Sequence, residues 1–226
     1  MARFTRIQVA LKMAETGIIP VFYHSDPNVC IKVLEACYDG GIRVFEFTNR
    51  GDFAHLVFTE MMKYSAVELP DLMLGVGSVI DACTTSLYIQ LGANFIVSPI
   101  LLEDMAKVCN RRKICWIPGC GSVTEVSKAE ELGAEIVKIF PGLQVGGPDF
   151  IKALKGPLPW SSLMPTGGVE PTEENLTSWF KAGSYCVGIG SQLITNEIIL
   201  QNDYQRLTND VRHSLTVIQN VKKKQV

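Results

Sequence analysis

Asp26-Pro27-Asn28-Val29-Cys30-Ile31-Lys32-Val33-Leu34-Glu35-Ala36-Cys37-Tyr38-Asp39-Gly40-Gly41-Ile42-Arg43-Val44-Phe45-Glu46-Phe47-Thr48 holds one complete structural unit. Cys30, Val33, Leu34 and Cys37 recur at the three- and four-residue steps of a helix buried along one side. Asp26 is a helix cap, Pro27 fits the first turn, and Gly40-Gly41 stops the helix. The run from Arg43 to Thr48 is too short for a helix and too apolar for a loop, so it reads as a buried strand.

The same alternation extends in both directions. Short apolar runs begin near Ile18, Arg43, Leu72, Asn94, Ile114, Glu135, Ser162 and Tyr185, with helical spacing between them. Strands joined by helices run parallel. Right-handed crossovers repeated eight times close into a (β/α)8 TIM barrel, the expected fold, with a doubly wound open sheet as the alternative. No linker or second domain interrupts the 226 residues. Residues 1–16 read as an N-terminal helix, 17–200 as the barrel, and 201–226 as a C-terminal helix with a basic tail. Phe4, Ile7, Leu11 and Ala14 mark the face by which the first helix is expected to pack. Lys222-Lys223-Lys224 is expected to be solvated.

Composition narrows the function. Twenty-one basic and 23 acidic residues leave a net charge of −2, which gives nucleic acid no electrostatic footprint. No apolar run reaches the length of a membrane span. Seven cysteines without a Cys-x-x-Cys pair or a histidine at zinc spacing read as reduced thiols of a cytoplasmic protein, so no metal is expected.

Two strands carry a charge where grease is expected. Alternation puts Val44, Glu46 and Thr48 on one face and Phe45 and Phe47 on the other. The aromatics belong against the helices, so Glu46 points inward near the C-terminal mouth, where barrel enzymes keep their chemistry. In Glu135-Ile136-Val137-Lys138-Ile139-Phe140-Pro141 the same alternation turns Lys138 inward. Buried charges are costly unless paired or functional. Burial favours the free amine, which attacks a carbonyl to form an imine, and a nearby carboxylate moves the protons. His24 follows the first strand and could line the mouth, whereas His55 and His213 read as ordinary helix and surface residues.

After the seventh run comes Pro165-Thr166-Gly167-Gly168, and after the eighth Gly188-Ile189-Gly190-Ser191, leading into Gln192-Leu193-Ile194 as a short extra helix. Loops at these two strand ends are the usual phosphate cradle of a barrel, where glycine lets backbone N–H groups approach the anion. Gly167, Gly168, Gly190 and Ser191 are therefore the expected phosphate ligands. Glu170 lies just downstream and would repel phosphate if it leaned in, but with Glu173 and Glu174 it suits a helix start capped by Thr172.

Together these motifs resemble the 2-keto-3-deoxy-6-phosphogluconate (KDPG) and 4-hydroxy-2-oxoglutarate aldolases over residues 17–218. The resemblance rests on Gly40 through Arg50, Gly75-Val76-Gly77-Ser78-Val79, Ile117-Pro118-Gly119, Ser122-Val123-Thr124-Glu125, Lys138-Ile139-Phe140-Pro141 and the two glycine loops. It implies a homotrimeric class I pyruvate aldolase without cofactor, with Lys138 forming the imine and Glu46 shuttling protons. It further implies that Arg50 and Ser78 hold the pyruvate carboxylate, with Pro99, Phe140 and Thr166 also against the substrate. The chain departs from the family pattern at His24, where many relatives have arginine, at Ile100, where glycine is usual, and in Gly142-Leu143-Gln144-Val145-Gly146-Gly147. These departures leave gluconate, galactonate and 4-hydroxy-2-oxoglutarate substrates open. Another phosphosugar barrel, an isomerase or a non-catalytic binder, is the alternative class. Ile136, two before Lys138, lacks the aspartate of the Asp-x-Lys pattern that some isomerase or decarboxylase barrels use.

Overall fold

The computed structural model describes residues 2–224. The chain runs α1 (Arg6–Thr16), β1 (Ile18–Phe22), α2 (Pro27–Asp39), β2 (Val44–Thr48), α3 (Ala54–Glu68), β3 (Met73–Gly77), α4 (Ala82–Gln90), β4 (Phe95–Val97) and α5 (Glu103–Arg112). It continues with β5 (Cys115–Ile117), β6 (Gly119–Cys120), α6 (Val123–Glu131), β7 (Val137–Ile139), α7 (Gly147–Lys155), β8 (Leu163–Pro165), α8 (Glu173–Lys181), β9 (Val187–Ile189), α9 (Asn196–Gln201) and α10 (Tyr204–Lys223). Asp26 caps α2 by accepting a hydrogen bond from the Asn28 N–H, and Thr172 caps α8 through the Asn175 N–H, as the sequence predicts.

The expected parallel α/β alternation is present, but the strand ladder falls into two sheets. Six strands pair in the order β5-β4-β3-β2-β1-β9, and three in the order β6-β7-β8. Pairing of β9 with β1 in parallel excludes the doubly wound order, which never returns the last strand to the first. The fifth apolar run, expected as one strand, is split by Pro118, which has no N–H to give to a ladder. Its carbonyl still accepts from the Lys138 N–H at 2.9 Å. Between β8 and β9 the pairing thins to a bridge between Thr166 and Gly188 and a bond from the Tyr185 N–H to the Leu163 carbonyl.

Two apolar clusters lie on either side of the strands. Phe45 and Phe47 face outward into the larger one, where Phe47 meets Phe58 and Phe58 meets Tyr88 edge-on. The smaller cluster takes a residue from each apolar run: Ile19, Val44, Met73, Phe95, Cys115, Ile136, Met164 and Cys186. Val9, Ala10 and Met13 of α1 close it from below. Phe4, just before α1, packs against this cluster as expected, but within α1 the buried side is opposite to the expected one. Ile7 and Leu11 are 65% and 63% exposed, while Val9, Ala10, Met13 and Thr16 are buried. Both stripes have helical spacing, and the interior selects the one whose Met13 fills its floor.

In the basic run at the C-terminus, Lys223 and Lys224 are exposed as expected, but Lys222 is not. Lys222 and Lys223 belong to the last turn of α10, and Lys222 is half-buried with its ammonium donating to the Ala14 carbonyl. No helix among the described residues is long and apolar enough to cross a membrane.

Met13→Ala is expected to lower unfolding free energy by about 2–5 kcal/mol, whereas Leu11→Ala should stay within about 0.5 kcal/mol. Urea denaturation of the two variants checks which side of α1 is packed.

Candidate active site

Alternation carries each inward face upward from the apolar floor. Above Val44, Ile136 and Met164 come Glu46, Lys138 and Thr166, and above the first two come Thr48 and Phe140. Glu46 is 1% exposed and Lys138 6%. Their strands belong to different sheets, yet Lys138 Nζ lies 3.8 Å from Glu46 Oε1. Neighbouring strands are spaced about 4.8 Å apart, so β2 and β7 meet this closely only because the sheets curl toward each other.

Both oxygens of Glu46 are buried without a hydrogen-bond partner. Burial pushes its carboxyl above the usual carboxylate range, and the charges of Lys138 and Arg50 draw it partly back. Room for the carboxylate comes from Gly77, where an added Cβ would lie 1.8 Å from Glu46 Oε1. An ionisable group held dry, unpaired by hydrogen bonds and next to an amine is suited to moving a proton.

Beside this pair opens a cleft of about 470 Å³, lined by Arg50, Phe140, Thr166, Gly167, Gly168, Gly190 and Ser191. All seven were expected at the site. Arg50 leaves the end of β2 and its Nε donates to Ser78 Oγ at 3.4 Å, which brings Ser78 alongside. The Lys138 ammonium lies 5.3 Å from the centre of the Phe140 ring. Thr166 Oγ1 is buried and has no partner. Gly168 takes a left-handed φ of 78°, and a Cβ there would press on Leu143 at 2.4 Å, so both backbone and space demand glycine.

Pro99 stands apart from the cleft lining. It sits at the end of β4 with its carbonyl packed against Gly119. His24 is likewise not in the lining: its Nδ1 accepts from the Asp26 N–H at 3.0 Å, a local bond at the start of α2. Glu170 is exposed and outside the cleft, its N–H donating to Asn175 Oδ1. The segment after Ser191 forms a turn closed on the Gly190 carbonyl by the Leu193 and Ile194 N–H groups, and the helix waits for the Thr195 cap. Sequence reasoning missed Thr48, Gln192 and Asn196 in the lining. Thr48 was legible, since it shares the inward face of Glu46.

A dry amine and carboxylate thus meet at the C-terminal ends of parallel strands, next to a glycine-lined cleft. The family model described as KDPG and KHG aldolase matches residues 9–209, and the chain belongs to that family of lyases. It is 31% identical to a 2-dehydro-3-deoxy-phosphogluconate aldolase of Pseudoalteromonas atlantica, covering 84% of this chain and 86% of that protein. It is 29% identical to the KHG/KDPG aldolase of Escherichia coli, covering 88% and 90%. Among solved structures, a KDPG aldolase from Legionella pneumophila, with pyruvate captured at low pH as a covalent carbinolamine, superposes with a TM-score of 0.81 at 27% identity, covering 90% of this chain and 96% of that one.

Because the folded state raises the Glu46 carboxyl, it loses stability as pH climbs through the carboxylate range. Glu46→Gln removes that dependence. Its melting temperature is expected to exceed the parent's at pH 8, with the gap closing toward pH 4, as thermal denaturation across pH will show.

Proposed function

We propose that the chain cleaves KDPG reversibly to pyruvate and glyceraldehyde 3-phosphate through an imine on Lys138. The observation that carries this reading is the 3.8 Å approach of Lys138 Nζ to Glu46 Oε1 in a dry interior. The amine adds to the C2 carbonyl and water leaves. Glu46 accepts the C4 hydroxyl proton while the C3–C4 bond breaks, its electron pair flowing to the iminium nitrogen. The aldehyde departs, the enamine takes a proton at C3, and water releases pyruvate and the free amine.

Arg50 and Ser78 are assigned to the carboxylate end, where a guanidinium fork fits two oxygens. Phe140 and Thr166 flank the carbon chain, and Pro99 shapes the site only through the backbone of Gly119. Gly167, Gly168, Gly190 and Ser191 take the phosphate, chiefly through backbone N–H groups. The name of the Escherichia coli relative supports 4-hydroxy-2-oxoglutarate as a second substrate, split to pyruvate and glyoxylate. The shared interior cluster, the Pro118 junction and the Thr166–Gly188 bridge support a single closed (β/α)8 barrel of residues 17–200, with α1 as its plug.

Assembly into a homotrimer is part of the same proposal. Exposed apolar residues Phe53, Ile80, Ile100 and Val123 stand beside the starts of four successive helices, α3 to α6, at the C-terminal ends of the strands. A surface of this kind suits contact between copies. Seven free thiols, six of them buried, support a reducing compartment such as the cytoplasm.

Pyruvate with borohydride is expected to add mass at Lys138 in the full chain, and Lys138→Ala to lose the adduct, by peptide mass spectrometry. Trapping that survives in the alanine variant rejects the assignment. Ser191→Asp should lower kcat/KM for the phosphorylated substrate by about tenfold or more and leave 4-hydroxy-2-oxoglutarate nearly unchanged. Coupled assay of pyruvate release on both substrates checks this.

A further inference from the structure

A second cavity, of about 570 Å³, opens at the other end of the strands, away from the cleft. It is lined by residues that lead into β8 and β9 (Ser161, Ser162, Ser184) and by Lys155, Lys222 and Trp160. Two lysines reach this cavity from different elements, α7 and α10. Each is anchored by backbone carbonyls: Lys155 Nζ donates to Pro159 and Ser161 at 2.8 Å, and Lys222 Nζ to Ala14. An ammonium has three donors. These bonds leave one free on Lys155 and two on Lys222, whose nitrogen also lies 5.1 Å from the Phe180 ring.

Two neutral donors stand in the same wall. Ser161 is 2% exposed and Ser184 7%, and neither hydroxyl has a hydrogen-bond partner. Buried hydroxyls ordinarily find one, so each unmatched group needs an explanation. Lys155 lies over Gly183 and Lys222 over Gly17, where an added Cβ would meet the two side chains at 3.2 and 3.0 Å. The lysine stems are thus held in place by glycines with left-handed φ rather than left to wander. Burial lowers the pKa of both lysines, with Glu130 only partly offsetting it at Lys155. At the rim Glu130 accepts from Trp160 Nε1 at 3.3 Å and acts on Lys155 through its charge.

We propose that this cavity is a binding site for a small dianion, inorganic phosphate or a phosphate monoester, held between Lys155 and Lys222 with the Ser161 and Ser184 hydroxyls as additional donors. Two positive charges against one rim carboxylate favour an anion, and the free donors suit a multi-oxygen group better than a single chloride. The site is separate from the glycine loops, which close the opposite ends of the same two strands.

The test is lysine methylation by formaldehyde and cyanoborohydride, read at Lys222 by peptide mass mapping of the full chain. At phosphate ten times its dissociation constant, labelling of Lys222 is expected to slow about tenfold relative to chloride at equal ionic strength. Lys155→Met and Trp160→Glu should each abolish most of that protection. Trp160 is 69% exposed, so its variant keeps the fold while adding a second carboxylate to the rim. Pyruvate release should stay at the parent rate in both variants. Equal labelling in phosphate and chloride, or protection that survives in both variants, overturns the proposal and leaves the lysines as caps for backbone carbonyls.

Discussion

A carboxylate and an amine, brought within 3.8 Å from two different sheets and dried by the same interior, set the terms for the rest of this structure. Burial outweighs the attraction of Lys138 and Arg50 for the Glu46 carboxyl, so the interior resists its ionisation. The surroundings are arranged accordingly. Gly77 vacates the volume that the Glu46 side chain fills, and the apolar floor from Ile19 to Cys186 keeps water from reaching the pair from below. Neither oxygen of Glu46 is spent on a hydrogen bond, so its proton affinity answers to burial and to the two cations alone.

The position of the amine is set by the backbone as much as by packing. Lys138 has its N–H on the Pro118 carbonyl, at the point where the fifth run breaks into β5 and β6. A proline there forfeits a ladder bond and frees the chain to turn from one sheet to the other. The lysine therefore hangs from the junction of the two sheets, while the glutamate stands inside the larger one, paired in register with Val21 and Gly75. On the proposed reading, the chemistry occupies the gap that this junction creates.

Much of this arrangement was legible in the residues. The eight apolar runs begin within two residues of the observed strands, and strict alternation placed Glu46 and Lys138 on inward faces without any tertiary information. The glycine pairs at the seventh and eighth strand ends also stand where their spacing implied. Periodicity failed where it was ambiguous by nature. In α1 both Ile7-Leu11-Ala14 and Val9-Ala10-Met13 satisfy a helical stripe, and only the shape of the floor decides between them. The turn after Ser191 was misread as helix because Gln192-Leu193-Ile194 has helical character, while the true cap, Thr195, lies farther on. The chain position of His24 allows it to line the mouth, but its ring accepts from a neighbouring backbone N–H instead, a choice no pattern reveals.

The Met13 side of α1 has a kinetic consequence. Val9, Ala10 and Met13 stopper the interior at its lower end, so the way in and out lies at the end where the cleft opens. A carbon chain tethered at Lys138 and extended toward the glycine loops would have its far half nearest the exit. On the proposed chemistry that half vacates before the tethered half can follow, so departure is sequential, and in the reverse direction the deep partner boards first. On that reading, traffic is ordered by a helix that touches none of the reacting atoms.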